Sequence, residues 1–169
     1  MFSQIQKFYR FKGKCSTEQI VHAVQTSMAV KYLGGDRELR LAGLLHDIGH
    51  LLKRPVGPES GIDDKHELFG GIWLKHNEFP KSVYKPVMLH VDAKRYLCSK
   101  KWGYYEKLNK ESKMSFKLQG GWMDWVEKEN FEDQEFFDEA VMLRKADDMA
   151  NNFIVHDIDF DELLKTLIN

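Results

Sequence analysis

Apolar residues recur at helical spacing along most of the chain. Ile20, Val21, Val24, Met28 and Leu33 follow a capping-box signal at Ser16 and Gln19 and stop at Gly34 and Gly35, which predicts a first long helix carrying His22. A second helix starts near Asp36, runs through Leu39, Leu41, Leu44 and Leu45, and ends between His46 and Leu52, before Pro55, Gly57, Pro58 and Gly61 impose a loop. Glu67 to His76 reads as a third helix, interrupted by Gly70 and Gly71, where missing side chains would admit another backbone or a ligand. Ser82 to Leu97 makes a fourth, carrying His90, with Pro86 tolerable only in its first turn. From 98 to 131 the pattern is weaker: Tyr104 to Phe116 fits a short helix, and Gln119-Gly120-Gly121 is a turn signal. The helical period returns from Asp133 to Phe153, and Asp159 or Asp161 caps a final helix ending in LLKTLI. No strand-period segment competes, so the expected fold is an all-α bundle.

Composition narrows the partners. A chain of 169 residues with 43% hydrophobic side chains has material for one core, so a single domain over 1–169 is expected. The 25 basic and 26 acidic residues nearly cancel, leaving no basic field to grip a nucleic acid. Cys15 and Cys98 lie far apart and form neither a disulfide framework nor a CxxC knuckle, which suits a reducing compartment. The opening MFSQIQKFYRFKGK has no apolar run of signal-peptide length, and no stretch approaches the roughly 20 apolar residues that span a bilayer. The expectation is a soluble, cytoplasmic protein without a membrane partner.

The candidate chemistry lies in histidines and aspartates. His46 and Asp47 are adjacent at a helix end, so an imidazole and a carboxylate can aim at one point; alone, such a doublet is more often a structural ion pair. Further candidates at helical positions change that balance: His22 before the doublet, His66 and His90 after it, and Asp147 within an apolar helix face. A core-facing aspartate without a partner costs several kcal/mol, so it should be paired, protonated or bound to a cation. Imidazoles with carboxylates suit zinc, iron, manganese or nickel better than calcium or magnesium, and six ligands exceed one tetrahedral site. Two metals bridged by Asp47 would use all six. Lys94 lies four residues after His90 and Arg144 three before Asp147, so each shares a helix face with a candidate ligand; a solvated pair at Lys94 and Arg95, and an Arg144 pairing with Asp147 or Asp148, are the plain alternatives. His76 and His156 find no place in the pattern. Trp122, Trp125, Phe136 and Phe137 read as core packing, with Trp122 a candidate pocket wall.

The order His22, His46-Asp47-Ile48-Gly49-His50, Asp147 resembles the H…HD…D pattern of the HD superfamily, and His66 with His90 extends it to the two-metal form. HVDAKRYL (90–97), LQGG (118–121) and LRKAD (143–147) are similar to the PhnZ-type HD-domain oxygenases, which use a mixed-valent di-iron site and O2 to cleave the carbon–phosphorus bond of 2-amino-1-hydroxyethylphosphonate. The resemblance implies that His22, His46 and Asp147 hold one iron and His66 and His90 the other, with Asp47 bridging. It implies that His50 touches substrate, that Lys94 and Arg144 bind the phosphonate, and that Gln119, Gly120 and Gly121 form a substrate loop. His50 and Lys94 are then the catalytic candidates.

In those oxygenases a loop before the first histidine supplies a tyrosine that covers the iron and a glutamate that pairs with the substrate ammonium. Residues 1–15 are the corresponding lid segment, and a gapless match places Lys12 and Cys15 at those two positions, with Tyr9 an alternative lid residue. The expected substrate is therefore a small 1-hydroxyphosphonate whose distal end is neutral, small or anionic. The competing readings are a two-metal HD phosphohydrolase acting on a nucleotide or phosphomonoester, a diol cleaver like myo-inositol oxygenase, and a degenerate HD domain used for binding.

Overall fold

The computed structural model describes residues 17–52, 58–150, 152–153 and 159–168. Its helices are α1 (Thr17–Tyr32), α2 (Arg37–Leu45), α3 (Ile48–Leu52), α4 (His66–His76), α5 (Lys81–Lys100), α6 (Tyr104–Lys107), α7 (Lys110–Leu118), α8 (Trp125–Glu132), α9 (Phe137–Ala150) and α10 (Phe160–Ile168), with a 3-10 turn at Pro58–Ser60. No strand occurs among the described residues, as the periodicity predicts, and none of these helices is long and apolar enough to cross a membrane.

The centre of the bundle is α5, which packs on α2, α4 and α9, while α1 lies across α2 and α9 and α10 closes against α2. Leu44, Leu45, Ile48, Leu74, Val83, Val87, Leu143 and Leu164 meet there as one apolar core. A second cluster, with Ala93, Tyr96, Leu97, Phe131 and Ala140, extends the core along the far half of α5.

Several expectations shift in detail. Val21, counted in the apolar stripe of α1, is 46% exposed, and the small residues Ala23, Ala29 and Val30 are buried with Val24 instead. The predicted second helix is broken at His46-Asp47 into α2 and α3. At this break the His46 ring bonds the Gly43 carbonyl. Pro86 is the sixth residue of α5, past the first turn, and α5 continues through it with the ring buried. The stretch from Tyr104 to Phe116 is two helices, because Asn109 caps a new start by accepting from the Ser112 amide. Helix α8 carries a capping box formed by Asp124 and Glu127 that the sequence reading passed over. Phe136, at φ +70°, delays the start of α9 to Phe137. Asp159 caps α10, accepting from the Asp161 and Glu162 amides at 2.8 and 3.1 Å. Trp122 and Trp125 are 56% and 66% exposed, so neither is core packing. Ser16, Tyr9, Lys12, Cys15 and His156 lie outside the described residues.

Gly70 and Gly71 do admit close neighbours, but from the protein itself. Gly70 faces the Gly49 backbone and Gly71 the Met88 side chain, so α4 can lie against both α3 and α5.

Candidate metal centre

His22 comes from α1, His46 caps α2, Asp47 lies in the break before α3, His66 opens α4, His90 sits mid-way along α5 and Asp147 near the end of α9. The bundle brings all six together. They form two trios, His22–His46–Asp147 and Asp47–His66–His90, and within each trio the candidate donor atoms lie within 4.8 Å of one another.

The orientation of each ring is set from behind. His90 Nδ1 donates to the Val87 carbonyl at 2.7 Å and His46 Nδ1 to the Gly43 carbonyl at 2.9 Å, so a neutral ring presents its Nε2 lone pair to the centre. His66 Nδ1 donates to Asp64 Oδ1 at 2.8 Å, with the same consequence. The Nε2 atoms of His66 and His90 then face each other across 3.2 Å. Two lone pairs at that separation repel unless a proton or a cation lies between them.

Asp47 faces both trios: its Oδ2 is 3.4 Å from His46 Nε2 and its Oδ1 is 3.7 Å from His66 Nε2. Asp147 Oδ1 lies 2.9 Å from His22 Nε2 and 3.6 Å from His46 Nε2. His46 Nε2 is buried without a hydrogen-bond partner among the described residues, although His46 is only 1% exposed. That orphaned nitrogen, the facing imidazoles and two sets of two imidazoles and one carboxylate fit metal ions.

The electrostatics point the same way. Burial works against a charge on His46, yet Asp47, Asp147 and the Gly43 carbonyl outweigh it and hold its pKa up at about 9. The two carboxylates are held low despite their own burial, Asp47 mainly by His46 and Asp147 mainly by Arg144. His90 is pushed well down by burial, with His66 and His46 adding to it. The carboxylates thus favour positive charge at His46, which either a proton or a metal ion can supply.

A cavity of about 340 Å³ opens beside the trios, lined by His22, Asp47, His66, His90 and Asp147 and also by His50, Lys94, Gln119 and Arg144. Lys94 is 3% exposed and its Nζ donates to Ser115 Oγ at 2.9 Å. Burial, reinforced by Arg144, pulls its pKa down to about 8. Arg144 lines the cavity with its charge already engaged: Nη1 donates to Asp147 Oδ2 at 2.7 Å and Nη2 to Asp148 Oδ1, whose other oxygen accepts from Tyr104. The pairing weighed as its plain alternative is thus present. Gln119, 9% exposed, leaves Oε1 without a hydrogen-bond partner among the described residues. Gly120 and Gly121 take positive φ but do not line the cavity; Arg95 holds that turn from behind through the Gly121 carbonyl. Trp122 does not line it either and packs on Tyr105 and Phe116; His76 is exposed.

Sequence reasoning missed Asp64 and Ser115, and weighed Asp148 only as a partner of Arg144. Asp64 precedes His66 by two residues, a signal that a search for carboxylates beside ligands would find. Ser115 carries no such signal.

No family model matches the chain. A hydroxymethylphosphonate dioxygenase of Gimesia maris is 40% identical over 138 residues, covering 80% of this chain and 68% of that protein. The chain belongs to the PhnZ-type phosphonate dioxygenase family. A glycine-betaine-forming [1-hydroxy-2-(trimethylamino)ethyl]phosphonate dioxygenase of Leisingera caerulea is 32% identical over 128 residues, covering 75% of this chain and 65% of that one. An uncharacterised protein of Acanthamoeba polyphaga mimivirus is 30% identical over 141 residues, with 80% and 63% covered. The chain spans about two thirds of the length of these curated relatives. The family members with named substrates act on phosphonates that carry a hydroxyl on the carbon next to phosphorus and differ at the distal end.

Proposed function

We propose that this protein is a di-iron oxygenase that uses O2 to cleave the carbon–phosphorus bond of a small 1-hydroxyphosphonate, giving a carboxylate and phosphate. The observation that carries the reading is the pair of abutting trios, each of two imidazoles and one carboxylate, beside a cavity that holds a buried lysine. That donor set with open positions serves non-haem iron oxygenases and also catalytic zinc, and the dioxygenase activity named for the relatives favours iron. Asp47, with one oxygen toward each trio, would hold both ions, and a mixed-valent Fe(II)/Fe(III) pair would supply the redox chemistry.

The irons, when bound, supply O2 activation and the electron transfers of the oxidation. The chain's own residues do the rest. Lys94 offers a cation to the phosphonate, held in place by Ser115, and arrival of a dianion restores the charge that burial weakens. His50, backed by Asp64, presents its ring to the cavity and holds a proton for a phosphonate oxygen. Gln119 brings an amide oxygen that has no partner among the described residues and suits the substrate hydroxyl. Arg144 fixes the carboxylates of Asp147 and Asp148 and lends positive potential to the phosphonate end. Residues 1–15, outside the described residues, correspond in sequence to the family's lid segment, and the chemistry of Tyr9, Lys12 and Cys15 there would select the distal end of the substrate.

The first candidate substrate is hydroxymethylphosphonate, whose distal substituent is hydrogen and whose carbon would leave as formate. It agrees with the lack of an acid at Lys12 and Cys15 and with the substrate named for the 40% identical relative. A phosphohydrolase would share the ligands, but the named relatives do not favour it. The test is O2 consumption by iron-loaded protein against 1-hydroxyphosphonates with hydrogen, methyl, carboxylate, amino and trimethylamino ends. The hydrogen compound should lead, and a failure of all five to drive O2 uptake would overturn the proposal.

A further inference from the structure

One carboxylate touches two imidazoles with different tasks. Asp64 Oδ1 accepts from His66 Nδ1 at 2.8 Å and from the His66 backbone N–H at 3.2 Å, and Asp64 Oδ2 lies 2.6 Å from His50 Nδ1. The two rings are stacked, with centroids 4.0 Å apart and planes 19° from parallel. His66 turns its Nε2 toward His90 and Asp47, whereas the other nitrogen of His50, Nε2, lies 3.9 Å from Asp47 Oδ1 beside the cavity.

We propose that Asp64 is a positioning residue that sets the tautomer and angle of His66 for the second metal and, with its other oxygen, fixes His50 for the phosphonate. The inference rests on the metal reading of the Asp47–His66–His90 trio. A carboxylate only accepts, so both rings must place a hydrogen on Nδ1. His66 is then left with a lone pair on Nε2, aimed where the trio converges. Without Asp64 the His66 ring is free to flip or change tautomer, and the stacked His50 loses the partner that its Nδ1 has among the described residues.

His50, Asp64 and His66 also come close enough to hold a cation themselves. The distances argue for hydrogen bonds: two donors bound to one ion at about 2.1 Å sit about 3 Å apart, and the pairs here are at 2.6 and 2.8 Å. A cation there would also take the His66 nitrogen opposite to the one that faces His90.

The experiment is anaerobic titration of metal-stripped protein with Fe(II), for wild type, Asp64→Ala and Asp64→Asn, alongside thermal unfolding of the metal-free forms. Wild type should take two irons. Asp64→Ala should take the first with unchanged affinity and the second about 10- to 100-fold more weakly, and Asp64→Asn, which keeps the size and one acceptor, should lose less at the same ion. At saturating iron, inorganic phosphate should bind more weakly to Asp64→Ala and to His50→Ala, and no more weakly to the double variant than to His50→Ala. Two irons at wild-type affinity in Asp64→Ala would overturn the proposal, as would additive losses of phosphate binding or a third iron in wild type. Fewer than two irons in wild type would show instead that the metal reading beneath it is wrong.

Discussion

Gly49→Ala adds a single methyl group and should disable half of the metal centre. A Cβ at position 49 would lie 1.9 Å from the His66 carbonyl oxygen, 2.6 Å from its carbon and 2.8 Å from its Cα. All three atoms are backbone, so no rotamer change relieves the clash, and the oxygen is roughly 1.5 Å short of ordinary contact. Helices α3 and α4 must separate by that order. Asp47 lies two residues before Gly49 and His66 is the first residue of α4, so the separation falls directly on the Asp47–His66 edge, now 3.7 Å. Metal sites tolerate ligand displacements of about 0.2 Å, which the shift exceeds several-fold. The His22–His46–Asp147 trio is built from α1, α9 and the end of α2 and should survive. The expected result is one iron per chain instead of two, with a stability loss of about 1–3 kcal/mol from the overpacking, read by metal analysis and thermal unfolding. Two irons at wild-type affinity in Gly49→Ala would refute the claim that this backbone contact sets the ligand geometry.

Lys94→Met should leave metal content intact and weaken phosphonate binding by about 2–5 kcal/mol, measured as KM or phosphate affinity. Because burial holds the Lys94 pKa down at about 8, kcat/KM should fall as pH rises through that value, and a profile flat to well above it would contradict the role. His46, held up at about 9 without metal, is protonated at neutral pH, so binding of the first ion should release a proton from it. Metal affinity should therefore rise with pH up to about 9, and calorimetry in buffers of different ionisation enthalpy that finds no proton release at pH 7.5 would count against the ligand assignment. Arg144→Met strips Asp147 and Asp148 of their buried partner and should cost about 3–5 kcal/mol of stability and loosen the His22–His46–Asp147 ion. An Arg144→Met protein that keeps both ions and loses only phosphonate affinity would assign the guanidinium to substrate alone.

The helices that build the centre were legible because each joins an apolar stripe to a clear stop, and because histidines and aspartates stand out on such stripes. His22, His46, Asp47, His66, His90 and Asp147 were found that way and converge in the fold. The break at His46-Asp47 was hidden because the apolar pattern runs on through it, with Leu44 and Leu45 buried before it and Ile48 and Leu51 after it. The Arg144 pairing was weighed, but its choice between carboxylates and substrate depends on distances across α9 and α6 that spacing does not give. Trp122 and Trp125 misled because aromatic residues after a double glycine look like core, whereas the turn held by Arg95 leaves both largely exposed.

The most direct test of the central claim is phosphate release from hydroxymethylphosphonate by iron-loaded protein, with and without O2. Phosphate and formate should appear in equal amounts, with O2 consumed in step, and no phosphate should form under anaerobic conditions or with zinc or magnesium in place of iron. Phosphate released at the same rate without O2, or from an ordinary phosphomonoester with a redox-silent ion, would contradict it and make the protein a hydrolase.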